Sequence, residues 1–181
     1  MAEIKSTLDL IMEKTKHLTL SAQEKQQIER EDHLKKVPGY VQRFLDDALS
    51  LSNLIRELAA APEPLREEIR RELIRRFLER FSLTATGKKS LEALQELSGS
   101  QNLARVRQLR SLLERFEASR EELVTVQTER MRAELAATGI SGSAVVVRVE
   151  ASPQWLALEL EYHRELSELQ DAWLTALAAP Y

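Results

Sequence analysis

The stretch Ser100–Thr138, SQNLARVRQLRSLLERFEASREELVTVQTERMRAELAAT, contains neither Gly nor Pro. As one continuous helix it would be about 58 Å long at roughly 1.5 Å per residue. Its first half sets Val106, Leu109, Leu113 and Phe116 in heptad register, and that register then meets Arg120 and Gln127. Apolar residues resume at Val124, Met131 and Leu135, shifted by four, as a stutter in a heptad pattern gives. One partner helix cannot serve the whole length. The spacing therefore predicts a spine helix whose two halves meet different neighbours.

The rest of the chain is cut up by its five Gly and five Pro. Ile4, Leu8, Ile11, Thr15 and Leu18 form a narrow apolar seam, and Ser21-Ala-Gln-Glu24 reads as a capping box that opens a second helix. Pro38-Gly39 is expected to end that helix. A third is expected over Tyr40 to Ala60, burying Val41, Phe44, Leu45, Ala48, Leu51, Leu54, Ile55 and Leu58. Pro62-Glu-Pro64 is a rigid turn before LREEIRRELIRRFLERF, where Glu67–Arg71 and Glu72–Arg76 are spaced for i,i+4 ion pairs. A shorter helix carrying Leu91, Leu94 and Leu97 follows Gly87 and ends at Ser98-Gly99-Ser100.

Beyond Gly139 the pattern changes. Val145, Val147 and Val149 alternate as one face of a β-strand over Gly142–Glu150. A lone strand either packs on helices as an extended connector or pairs with the same strand of a second copy. Ser152-Pro153 supplies a cap and a first-position Pro for the last helix. There Trp155, Leu158, Tyr162, Leu166, Leu169, Trp173 and Leu177 lie in one narrow stripe.

The expected architecture is all-α: a multi-helix bundle with one long spine helix and a short C-terminal strand-plus-helix unit. It divides into a helical, coiled-coil-like body over residues 1–138 and the C-terminal unit over 139–181. Leu, Glu, Arg and Ala dominate, charged residues make up 30% and aromatics only 5%, the composition of long helices.

Composition also narrows the function. A net charge of −3 offers no excess of cations for a phosphate backbone, so no nucleic-acid partner is expected. Arg66, Arg70, Arg71, Arg75, Arg76 and Arg80 suggest an RNA surface, but interleaved Glu residues favour a solvated, internally paired helix. The absence of Cys removes thiolate chemistry and fits a reducing compartment. Glu3, Asp9 and Glu13 interrupt the apolar residues of the opening segment, so no leader is read there. No membrane span is expected, and a cytoplasmic location is.

No motif supplies a catalytic, cofactor or metal site. Each His follows a Glu by four residues (Glu13–His17, Glu29–His33, Glu159–His163), whereas di-iron bundles use Glu-x-x-His. Thr86-Gly87-Lys88-Lys89-Ser90 lacks the first Gly of a phosphate loop and the Ser or Thr after its Lys. Ser141-Gly142-Ser143 makes no nucleophile elbow, and Gly139 reads as a helix C-cap.

The opening MAEIKSTLDLIMEKT and the later GISGSAVV resemble an uncharacterised family of bacterial helical proteins. The resemblance covers the two ends of the chain and implies neither an activity nor any site residue. In layout alone the chain is similar to peripheral-stalk subunits of rotary ATPases and to GrpE-type cochaperones, without a shared motif.

The sequence thus reads as a non-catalytic helical scaffold or adaptor acting through protein–protein contacts. Its expected partner is a second copy, a dimer being favoured, or another helical protein. The residues expected to carry that contact are Trp155, Leu158, Tyr162, Leu166, Leu169 and Trp173 on the last helix, with Val145, Val147 and Val149 on the strand. The competing reading is an enzyme or small-molecule sensor with a site between helices.

Overall fold

The structure is a computed structural model that describes residues 21–140, 142 and 146–178. The seam on residues 1–20, the Glu13–His17 pair and Val145 lie outside the described residues. Among the described residues six α-helices run α1 Ala22–Leu45, α2 Leu51–Ala60, α3 Glu63–Glu79, α4 Ala85–Ser98, α5 Leu103–Ala137 and α6 Pro153–Ala178, with 3₁₀ turns at Ser100–Asn102 and Val149–Ala151. The all-α, multi-helix fold is as the spacing predicts. No described helix is long and apolar enough to cross a membrane.

Helix α1 opens on the capping box read from the sequence: the Glu24 amide donates to Ser21 Oγ at 3.2 Å and the Ser21 amide to the Glu24 carboxylate at 2.7 Å. It does not stop at Pro38-Gly39. Pro38 lies inside the helix, because Val37, Val41 and Phe44 on either side of it share one buried face. The lost amide donor is outweighed by packing at about 1.5–3 kcal/mol per buried large side chain. The expected helix over Tyr40–Ala60 is therefore two helices. The chain turns at Asp46–Ser50, with Asp47 at φ 61° and Leu49 buried, and Ser50 caps α2 by accepting from the Asn53 amide at 3.3 Å.

Helix α3 is the hub, packed against α1, α2, α4 and α6. Ile69, Leu73, Ile74, Phe77 and Leu78 are buried in it, and the Phe77 ring meets Phe44 of α1 edge-on at 5.5 Å. Its arginines serve the fold. Arg66 donates to the Ala61 carbonyl at 2.8 Å, Arg70 to the Leu97 carbonyl at the end of α4, and Arg80 to Gln42 of α1. The two ion pairs read from the sequence form, Glu67–Arg71 at 3.5 Å and Glu72–Arg76 at 2.8 Å.

The spine helix α5 packs on α4 and α6. Its amino-terminal half buries Val106, Leu109, Leu112, Leu113 and Phe116; after Phe116 it has no fully buried residue. It ends on a left-handed Gly139 at φ 82°, where the Ile140 amide donates to the Leu135 carbonyl and the Gly139 amide to that of Ala136, both at 3.0 Å. That is the Schellman pattern. The expected C-terminal strand is absent among the described residues. Val146–Arg148 has no regular structure and Val149–Ala151 is a 3₁₀ turn, with Val149 2% exposed and Val146 82% exposed. Over residues 146–149 exposure alternates, with Val146 and Arg148 exposed, Val147 half-buried and Val149 buried, so this piece of the valine pattern belongs to a connector that packs on helices.

Helix α6 returns along α5. Ser152 Oγ caps it through the Trp155 amide at 3.2 Å. Its carboxyl-terminal half reaches the body, where Gln170 donates to the Leu78 carbonyl at 2.6 Å and Leu166 and Trp173 join the main core.

Candidate interaction surface

The chain has two parts that differ in packing. One is the body, in which α1–α4 close around the amino-terminal half of α5 and the carboxyl-terminal half of α6. The other is an arm formed by α5 beyond Phe116, the connector and the start of α6. The arm leaves the body as a run of about 30 Å of helix at 1.5 Å per residue.

Side-chain contacts lock the arm's base. The Phe116 and Tyr162 rings meet at 5.3 Å, Ser119 and Tyr162 hydroxyls are 2.8 Å apart, and Arg115 pairs with Glu165 while lying over the Tyr162 ring. The Glu165 carboxylate raises the Arg115 pKa mainly by accepting its hydrogen bond. Arg120 sits 6.0 Å over the Trp155 ring. Farther out, Leu123, Val124, Met131 and Leu135 are only half-buried, and Val126 and Ile140 are each 53% exposed.

The stripe predicted on the last helix is one continuous face turned toward the chain's own helices. Leu166 and Trp173 are buried, Trp155, Leu158, Tyr162 and Leu169 half-buried. Val147 is half-buried and Val149 buried in the connector. Among the described residues Val146 of the connector is the apolar side chain most open to solvent, and three on the helices were not singled out by the sequence: Leu156 and Leu160, 59% and 64% exposed on the back of α6, and Val126 on α5. They fall off the main stripes, and departure from a stripe was their only sequence signal.

Other candidates resolve locally. Each arginine of the α3 segment has a partner within the chain, Arg75 bonding Glu72 and Arg76 reaching Glu72 and Glu79. Lys88 pairs with Glu117 at 2.7 Å and Lys89 with Asp47 and the Leu45 carbonyl, so the Gly87-Lys88-Lys89 segment ties elements together. His163 Nδ1 lies 2.7 Å from the Glu159 backbone carbonyl rather than its carboxylate. No group of three potential metal ligands occurs among the described residues. A cleft of about 440 Å³ lies where α3 meets the α4–α5 turn, lined by Glu67, Arg70, Arg71 and Ser98–Asn102.

The fold and surface define a helical protein with a body and a projecting helical arm. No protein-family profile, no curated protein and no solved structure matches the chain.

Proposed function

We propose that this chain is a non-catalytic helical scaffold or adaptor that works through protein–protein contacts in the cytoplasm and self-associates. The observation that carries this reading is the distal half of α5. It extends a fully helical segment beyond the last buried residue, Phe116, with apolar side chains only partly covered by its own chain. Most of a helix's stability in a protein comes from packing of its apolar face, and a second helical surface would complete that packing. Light scattering behind a sizing column, run at two protein concentrations, tests it. A mass that rises with concentration supports self-association, and a constant monomer mass across a wide range rejects it.

A second reading is favoured by the cleft at the α4–α5 turn. Two guanidinium groups, Arg70 and Arg71, line it beside the start of a 35-residue helix, and Ser98, whose buried hydroxyl has no partner, is part of its wall. This suits a sensor of small anions. A thermal-shift series with inorganic phosphate, nucleotides and divalent cations tests it: a saturable rise with one ligand that Arg70→Gln abolishes supports it, and no shift with any of them rejects it.

A further inference from the structure

The arm has an inner face covered by the connector and α6, and an outer face that no described residue covers. On that outer face Glu122, Val126, Arg130, Ala133 and Ala137 follow one another at spacings of four, four, three and four, so they line one side of the helix. All five are exposed. The pattern is antisymmetric in charge about Val126: an acid lies one turn before it and a base one turn after it.

We infer that the outer face of the arm is the contact between two copies of this chain, packed antiparallel about a two-fold axis through Val126. The inference rests on the self-association proposed above and names its surface. With the axis at Val126, Glu122 of each copy faces Arg130 of the other and the two Val126 side chains meet. Both ion pairs come from one symmetry operation, as an isologous interface requires. A parallel pairing would set Glu122 against Glu122 and Arg130 against Arg130, which like-charge repulsion disfavours. The small side chain at position 133 lets the helices approach closely. Glu129 falls beside Leu123 and gains no partner.

The position of the axis fits the length of the arm. Val126 lies midway between Phe116, the last buried residue of α5, and Ala137, its last helical residue. An antiparallel copy centred there brings its own body to the arm's tip, so the overlap is as long as the part of α5 that lacks a full set of neighbours. Arg130 presently pairs with Glu134 at 2.9 Å, but both side chains are more than 60% exposed. Such solvated i,i+4 pairs contribute little, so exchanging Glu134 for the second copy's Glu122 costs little. Two arms about 30 Å long at 1.5 Å per residue make a small interface, of the kind that dissociates on dilution.

The native chain has no Cys, so Val126→Cys places a single thiol on the proposed axis. Mild oxidation of the full chain at high concentration is expected to give a covalent dimer, because the axis brings position 126 within disulfide reach of itself. Ala118→Cys, exposed on another side of α5, is the comparison and is expected to stay monomeric. Glu122→Arg and Arg130→Glu should each lower the dimer fraction, and the double exchange should restore it. Helicity by circular dichroism confirms that every variant is folded. If Val126→Cys cross-links no better than Ala118→Cys while light scattering still finds a dimer, this interface is wrong and self-association stands. A chain that is monomeric at every concentration overturns both.

Discussion

A Cβ built on Gly87 would lie 1.9 Å from the backbone carbonyl oxygen of Ser82 and 3.1 Å from its carbon. Gly87 sits inside the first turn of α4, directly after the bend at residues 83–84 that leads into the helix. Helix propensity alone favours Ala over Gly there by about 1 kcal/mol. The contact reverses the sign, because the obstructing atom is backbone and cannot rotate away. Gly87→Ala is expected to destabilise the protein by about 1–3 kcal/mol, read as a lower urea midpoint. An unchanged midpoint would mean that the Ser82 turn yields freely.

Gly39 gives the opposite expectation. It lies within α1, and a Cβ there would meet nothing within 4 Å. Gly39→Ala removes backbone freedom from the unfolded chain without a clash, so it should stabilise by about 0.4–1 kcal/mol. Thermal unfolding checks it, with a rise of a few degrees at most for a chain of this size.

This pair of glycines shows how far the sequence could be read. Pro38-Gly39 carries the strongest local stop signal of α1, yet a proline's φ is compatible with a helix, and Val37, Val41 and Phe44 keep one buried phase across it. The real break at Asp46–Ser50 was hidden because Phe44, Leu51, Leu54 and Ile55 still fit a single helical stripe. Local rules placed the capping box, the Arg–Glu pairs and the Ser152 cap, all of which depend on near neighbours. The valine alternation was ambiguous, since a connector lying on helices buries every second residue as a strand does. Which apolar face is core and which is free depends on α3 and α6 meeting across nearly a hundred residues, as Gln170 and Leu78 do. No window of sequence reports that contact.

Trp173 is 1% exposed in the core, and its indole Nε1 has no hydrogen-bond partner. Two substitutions separate its volume from its polar group. Trp173→Ala leaves a large cavity and should cost about 3–5 kcal/mol. Trp173→Phe loses less volume and also removes a buried donor left unmade, which offsets part of the loss. It should fall within about 1 kcal/mol of the native protein. Urea unfolding of the three proteins checks the order, and a Phe variant as damaged as the Ala variant would show that the indole nitrogen has a partner in solution.

Arg30 joins α1 to α3 by donating through Nε to both carboxylate oxygens of Glu68, at 2.9 and 2.7 Å. Those hydrogen bonds hold Glu68 below the usual carboxylate pKa, against the opposing effect of its partial burial. A carboxyl group depressed on folding stabilises fully above its unfolded pKa of about 4.3, and that contribution is lost as pH falls through the lower folded value. Glu68→Gln keeps the shape and removes the charge. It should therefore be less stable than the native protein at pH 7, and the difference should shrink as the pH is taken below about 4. Urea midpoints of both proteins across that range give the answer, because every other titrating group is common to the two. A difference that stays constant with pH would mean that the carboxylate charge contributes nothing to the α1–α3 contact.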